Sequence, residues 1–309
     1  MTNLGQKEAM RILITGATGL VGQELCKQLL DAGIAVNYLT TSPEKVETKT
    51  NYQGFVWNAK TGEIDTACLE GVTSVVHLAG ASIAERWTDR YKKTILESRT
   101  KTADLLFKTL KNTPNEVKQF VSASALGAYP SSKTTIYTES FETYNPGFLG
   151  TVVEAWEQAA DQFEALGLKV AKVRVGVVLA KNGGALEKLL QPIKAYVGAP
   201  LGDGKQWQSW VHLEDLAGIF KTVIMQNLDG VYNAVAPNPV TNKTLTKVSA
   251  ALLGKPLILP NVPGFALKLL LGEMAAVVLE SQKVSSEKTE TIYSFKYRQL
   301  HNALADLLE

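Results

Sequence analysis

The stretch that decides the fold is "RILITGATGLVG", residues 11–22. Five residues of strand character run straight into a loop whose glycines, Gly16, Gly19 and Gly22, are spaced G-x-x-G-x-x-G. "QELCKQLLDAG" follows with helical spacing, Leu25, Leu29 and Leu30 on one face and Gly33 at its end. Strand, glycine loop and helix in that order form the unit that grips a dinucleotide. The first glycine permits the tight turn, the second lets backbone approach a pyrophosphate, and the third lets the helix pack close. The helix N-terminus then faces the phosphates with free N–H groups and the positive end of its dipole. Thr18, Leu20 and Val21 share the loop and belong to the expected cofactor-binding set.

Outward from this unit, strand and helix keep alternating. "IAVNYLTT" (34–41) and "SVVHLAG" (74–80) read as buried strands, and "DRYKKTILESRTKTADLLFKTLKN" (89–112) as a long helix closed by Pro114. "KQFVSASALGAY" (118–129) reads as a strand entering a loop, "NPGFLGTVVEAWEQAADQF" (145–163) as a turn and helix, and "KVAKVRVGVVLA" (169–180) as a strand. Apolar strands of this kind suit a parallel sheet covered on both faces. The expectation is an α/β, Rossmann-type doubly wound sheet over 11–181, completed by a strand near 230–237. A smaller α+β substrate-side region follows over 182–309, and residues 1–10 form a flexible lead-in.

Composition narrows the function classes. The 309 residues carry 32 basic and 30 acidic side chains, a net charge of +2, which argues against nucleic acid as a partner. No apolar run reaches the roughly 18 residues of a membrane span, and the first ten residues lack a signal peptide's apolar core. The two cysteines, Cys26 and Cys68, lie among apolar neighbours far apart, as buried free thiols of a reducing compartment would. The cytoplasm is therefore expected, as a monomer or homodimer. With histidine only at 77, 212 and 301, no metal cluster is expected.

The end of the second expected strand bears on which dinucleotide is bound. An NAD site usually places an acid there for the ribose 2′-hydroxyl. This chain has "YLTTSPEK": Thr40, Thr41 and Ser42, Lys45 nearby, and the first acid at Glu44. Hydroxyls and a lysine without an acid favour NADP over NAD.

"TGATGLVG", "HLAG" and the alternating pattern resemble the extended short-chain dehydrogenase/reductase superfamily. "GAPLGDGKQWQSWVHLEDLAG", "GVYNAVAPNPVTNK", "LLGEMAAVVLESQKV", "FLGTVVEAWEQAA" and "RVGVVLAKNGGAL" are more specific. They resemble an atypical branch known as epimerase family proteins, with a small C-terminal domain of its own. The resemblance implies that Thr40 and Thr41 stand where the branch holds an adenosine 2′-phosphate with a polar residue and an arginine; Thr41 departs from that arginine. It places Leu78, Ala79 and Gly80 along the cofactor, with Thr94 and Arg99 on the helix bearing "ILESR", and brings Val178 toward the nicotinamide. Arg99 is a candidate for the missing positive charge.

Typical members of the superfamily transfer protons with a Tyr-x-x-x-Lys pair and orient substrate with a Ser or Thr hydroxyl. Aligned on "WEQAA", the tyrosine position holds Phe148 or Leu149 and the lysine position Val152 or Val153. The serine position falls on Ala125, with Ser124 beside it as the candidate substitute. Tyr129, Tyr137, Tyr144, His212 and Asp215 are further ionisable groups in the expected region, and Trp156, Trp207 and Trp210 are pocket or packing residues. Two readings remain open. One is an NADP-dependent oxidoreductase or epimerase-like enzyme using unconventional acid/base groups on a small molecule. The other is a non-catalytic protein whose cofactor is structural or redox-sensing.

Overall fold

The computed structural model of the chain describes residues 10–309; the expected lead-in lies, apart from Met10, outside the described residues. Its centre is a nine-stranded sheet. The long strands are β1 (Arg11–Thr15), β2 (Ala35–Thr40), β3 (Tyr52–Asn58), β4 (Val72–His77), β5 (Gln119–Ala125), β6 (Lys169–Val175) and β7 (Gly230–Ala234). They lie in the order β7-β6-β5-β4-β1-β2-β3, all parallel. The sequence order reverses at β1, the switch point where an open α/β sheet forms its binding crevice at the C-terminal ends of the strands.

Strand periodicity divides the core. Ile12 and Ile14 of β1 point to one face, with Val36, Val76, Val121 and Val173. That face is covered by α1 (Leu20–Asp31) and by a later helix over Leu213–Met225, through Leu25, Leu29, Leu216, Phe220 and Val223. Leu13, one residue along, points the other way with Leu39, Val75 and Phe120. There α2 (Asp89–Asn112) contributes Ala103, Leu106 and Leu110. On the same side α3 (Phe148–Asp161) supplies Ala160, and Phe163 just beyond it stacks on Phe120 with ring centroids 3.6 Å apart. The expected doubly wound sheet is present, and the strand expected near 230–237 joins its edge as β7 beside β6.

Two local readings are corrected. The single strand expected over 169–180 is two: β6 ends at Val175, and Val177–Leu179 pairs instead with Trp210–His212. Gly176 marks the break, because a Cβ there would stand 2.4 Å from Ser209 O. Strand β3, "YQGFVWN", has no counterpart in the sequence reading. Its central Gly54 exists because the Tyr38 ring lies over it, 2.5 Å from where a Cβ would be. A glycine there weakens the apolar alternation that reveals a strand.

Beyond the sheet, Leu179, Leu186, Leu190, Trp210, Leu245, Tyr297, Leu300 and Leu304 form a separate apolar cluster. It joins the helices Gly184–Lys194, Asn242–Leu252 and Leu300–Leu308.

Candidate cofactor crevice and active site

The glycine loop has the geometry that its spacing calls for. Gly16 is in the left-handed region (φ +73°), and a Cβ there would lie 2.9 Å from Leu78 C and 3.0 Å from Ala79 N. The loop is thus pressed against the chain leaving β4. Gly22 allows the second close approach: a Cβ would sit 2.2 Å from Gly16 O and 2.6 Å from Ala17 Cα. Gly19 is different. It is the exposed N-cap of α1, with no side-chain cap, and its nearest obstacle to a Cβ is Gly16 O at 3.3 Å. The first turn of α1 therefore presents its N–H groups outward over an open side of the loop. Thr18 is exposed beside it, while Leu20 and Val21 are half-buried at the start of the helix.

The other expected cofactor positions lie as follows. Thr40, at the end of β2, is buried and accepts a hydrogen bond from Ser42 N at 3.2 Å, while Thr41 is exposed. Val178 is near Leu20, since its carbonyl oxygen and Leu20 Cδ2 both lie beside Gly184, 3.6 and 3.3 Å from a Cβ built there. Gly80 is exposed. Thr94 is exposed on α2, bonded back to Arg90 O at 3.1 Å.

Arg99 is not a solvated helix-face residue. It is 8% exposed, with its guanidinium 4.7 Å from the Trp156 ring centroid, donating to Ile95 O at 2.8 Å and Ala81 O at 3.2 Å. No acid pairs with it among the described residues, and its Nε has no partner. Burial lowers its pKa to about 10. The group nonetheless remains protonated at neutral pH, a fixed cation held against the segment at Gly80, whose Cβ position is 3.1 Å from Arg99 Cζ.

A buried polar relay, which the sequence reading did not anticipate, fixes the loop. Thr15 Oγ1 accepts from Leu78 N and Ala79 N at 3.2 and 3.1 Å, so its proton is directed to His77 Nδ1, 2.8 Å away. His77 Nε2 then donates to Thr102 Oγ1 at 3.1 Å. The ring is neutral: its complete burial lowers the pKa from 6.5 to about 4. Its folded pKa lies below the unfolded one, so the unfolded chain takes up a proton first as the pH falls. Stability should therefore drop by about 3 kcal/mol between pH 6.5 and pH 4. Thermal unfolding across that window measures it, and His77→Asn should lack this part of the slope.

The proton-transfer positions of the superfamily are apolar, the lysine position packed as core and the tyrosine position half-buried. Val152 and Val153 are 4% and 3% exposed. Phe148 meets Trp87 edge-to-face at 4.9 Å, and Leu149 lies against Gly127. Ile83, Tyr91, Ile95, Leu96 and Met274 pack in the same apolar cluster as Val152, and Lys92 of α2 pairs with Glu273. The side chains at these positions can move no proton.

Just beyond them on α3 stands an ion pair that the sequence reading missed. Glu157 is 2% exposed and Arg174, on β6, is 5% exposed; they meet in a bidentate fork of 2.8 and 2.9 Å. Ser124 is buried at the end of β5, and its hydroxyl donates to Glu157 Oε1 at 2.5 Å. Tyr144 donates to Glu157 Oε2 at 2.7 Å. Burial alone would raise the Glu157 pKa, but the Arg174 guanidinium and these hydroxyls hold it below the usual carboxylate range.

The other candidates are engaged elsewhere. Tyr129 donates to Asn233 Oδ1 at 2.8 Å, and Tyr137 stacks on it, with centroids 5.0 Å apart. His212 caps the Leu213–Met225 helix, accepting from Glu214 N. Asp215 is fully buried and accepts from Tyr293 Oη, Lys296 N and Tyr297 N, which ties down the C-terminal segment. Trp207 and Trp210 donate to Lys133 O and Asn238 O, and Trp156 packs under Arg99. Both cysteines are free and buried, with thiols pushed up to about 12 by desolvation. Among the described residues no group of His, Cys, Asp or Glu is placed to hold a metal, and no helix is long and apolar enough to cross a membrane.

Comparison with known proteins agrees with this geometry. Residues 12–234 match the family model described as NAD dependent epimerase/dehydratase family, and residues 262–307 match a domain of unknown function, DUF1731. An epimerase family protein of Staphylococcus epidermidis is 35% identical over 305 residues, covering 97% of this chain and 99% of the relative. A chloroplastic SDR39U1 homologue of Arabidopsis thaliana, also an epimerase family protein, is 37% identical over 98% of this chain and 88% of its own. Among solved structures, human epimerase family protein SDR39U1 with NADPH is 30% identical and superposes with a TM-score of 0.84 over 96% of this chain and 99% of that one. With a Rossmann-type sheet, the glycine loop and the appended C-terminal domain all accounted for, this chain belongs to the NAD-dependent epimerase/dehydratase family, in its extended short-chain-dehydrogenase-like branch of epimerase family proteins.

Proposed function

We propose that the chain binds NADP(H) in the crevice at the C-terminal ends of β1, β2 and β4, and acts on a small molecule as a reductase or epimerase-like enzyme. The observation that carries this reading is the cradle itself. Gly16 and Gly22 have no room for a Cβ, while Gly19 opens the uncapped N-terminus of α1 to an anion. Gly16, Thr18, Gly19, Leu20, Val21 and Gly22 would hold the pyrophosphate. Thr40, Thr41 and Ser42 would face the adenosine ribose, and Leu78, Ala79, Gly80 and Val178 would line the path toward the nicotinamide. When bound, the nicotinamide supplies or accepts a hydride. The absence of an acid from Thr40 to Pro43 supports the phosphorylated cofactor, as does the NADPH in the human relative's structure.

The test is direct. NADPH and NADH are titrated against the purified protein, following energy transfer from tryptophan to the reduced nicotinamide. NADPH should bind at least about tenfold more tightly, a difference of roughly 1.4 kcal/mol. Equal affinity would remove the 2′-phosphate from the reading. A panel of carbonyl compounds and sugar nucleotides, followed at the reduced-nicotinamide absorbance, then reads turnover.

The second reading, a cofactor-holding protein without catalysis, is favoured by one observation: Val152 and Val153 are packed as core where the dyad's lysine would stand. Turnover of any panel member excludes it. Under either reading the two buried, unpaired thiols suit a reducing compartment such as the cytoplasm.

A further inference from the structure

The apolar positions of α3 leave proton transfer unassigned, yet a carboxyl group stands at the start of that helix. Glu280 follows the short helix Ala276–Leu279 and falls within the C-terminal domain match at 262–307. Its Oε2 accepts from Asn145 Nδ2 and from Gln282 Nε2, both at 3.0 Å. Both amides are themselves anchored. Asn145 Oδ1 accepts from Gly147 N at 2.8 Å, Asn145 N donates to Ala128 O at 2.7 Å, and Gln282 Nε2 also reaches Tyr129 O at 3.3 Å. Oε1 faces Gly147, 4.0 Å from where a Cβ would stand, one residue before Phe148.

Glu280 is thus held between the start of α3 and the loop leaving β5, on the same C-terminal edge of the sheet as the glycine loop. Among the described residues no salt bridge reaches it. The groups facing it are Gln282 from its own segment, Asn145 from the loop before α3 and Gly147 from the helix N-cap, all uncharged. The phenols nearby are committed elsewhere: Tyr129 to Asn233 and Tyr144 to Glu157.

We propose that Glu280 is the proton-transfer group of this site, its Oε1 exchanging one proton with the oxygen of a small carbonyl or secondary-alcohol substrate. The proposal rests on the NADP(H) reading above. In the reducing direction the carbonyl carbon gains a hydride, with its electron pair, from reduced nicotinamide, and the oxygen takes the proton of the Glu280 carboxyl. The products are an alcohol, oxidised nicotinamide and a carboxylate, to which solvent returns a proton. Oxidation runs the same transfers backwards.

The competing role is an anionic cap for α3. A carboxylate serving a helix N-terminus is stabilised in its charged form, and its pKa falls. Glu280 shows the opposite: desolvation raises its pKa, outweighing the hydrogen bonds from Gln282 and Asn145. A carboxyl titrating closer to neutrality is better matched to acid/base work.

The experiment uses the full chain with carboxyl-13C-labelled glutamate. Glu280 is assigned by its loss in E280Q and titrated with and without saturating NADP+, while NADPH binding is followed by fluorescence in both proteins. Expected are a midpoint above the ordinary glutamate value, and a downward shift when the positively charged nicotinamide binds nearby. E280Q should bind NADPH within about twofold of the wild type, with an unchanged unfolding midpoint. A Glu280 midpoint at or below the ordinary value, or one indifferent to NADP+, overturns the proposal while leaving NADP(H) binding intact. Failure of the wild type to bind NADPH overturns the functional reading, and this proposal with it.

Discussion

Gly19→Asp should give a protein that folds at least as well as the parent and no longer binds NADPH. The two effects separate because of where Gly19 stands. It is the N-cap of α1, in extended backbone (φ −85°, ψ 174°) that any residue adopts, and a Cβ meets nothing closer than Gly16 O at 3.3 Å. Aspartate is among the best N-cap residues, and its carboxylate can accept from the first-turn N–H groups that Gly19 leaves uncapped. The cap is worth roughly a few tenths of a kcal/mol over glycine, and the 3.3 Å approach of the Cβ to Gly16 O takes back part of it. The same carboxylate then occupies the space and the N–H donors that a pyrophosphate needs, and sets like charge against it. Affinity should fall by at least about 100-fold, or roughly 2.7 kcal/mol. Thermal unfolding and NADPH titration on the same preparation read both quantities. Retained binding would mean that the glycine loop is not the phosphate site. Gly22→Ala is the contrasting variant: its Cβ would stand 2.2 Å from Gly16 O, so it should lose stability and binding together.

The contrast shows why the geometry of the glycine loop was legible in the sequence. Gly19 and Gly22 act through their backbone and through contacts within one short segment, so spacing carries their information, whereas Gly16 also answers to Leu78 and Ala79 across the sheet. The sheet was legible for a related reason, because strands buried on both faces are written as continuous apolar runs. Where a distant partner decides the outcome, the sequence is silent. Gly54 interrupts β3 because of the Tyr38 ring, and Gly176 divides a run of valines because Ser209 passes beside it. The same limit explains the rest of the site. Ser124 reads as a free hydroxyl until Glu157, 33 residues away, accepts its hydrogen bond, and Glu280 meets Asn145 across 135 residues. A charged residue inside an apolar stretch, as Arg174 is in "KVAKVRVGVV", was the one available signal of a buried ionic partner, since such a charge is almost never buried unpaired.

That pairing sets up the largest stability effect expected of the molecule. Arg174→Met leaves the Glu157 carboxylate buried with only Ser124 and Tyr144 as donors, and should cost about 3–5 kcal/mol at neutral pH, read from the denaturation midpoint. Removing both charges, as Glu157→Leu with Arg174→Met, should restore most of that loss, because the desolvation of the ions disappears together with their attraction. The pH dependence distinguishes this account from simple loss of packing. In the parent, the folded pKa of Glu157 lies below its unfolded value. Its contribution is therefore present above the unfolded pKa and is lost as the pH falls through the folded one. In Arg174→Met, burial is opposed only by the hydrogen bonds from Ser124 and Tyr144, and the folded pKa should rise above the unfolded one. The carboxyl is then tolerated in its neutral form at low pH, and the penalty grows as the pH rises through that pair of values. The gap in stability between parent and variant should accordingly narrow as the pH is lowered from 7 toward 4, whereas a cavity or a lost van der Waals contact would leave it constant. A gap that stays constant would show that Arg174 acts through its bulk and not its charge.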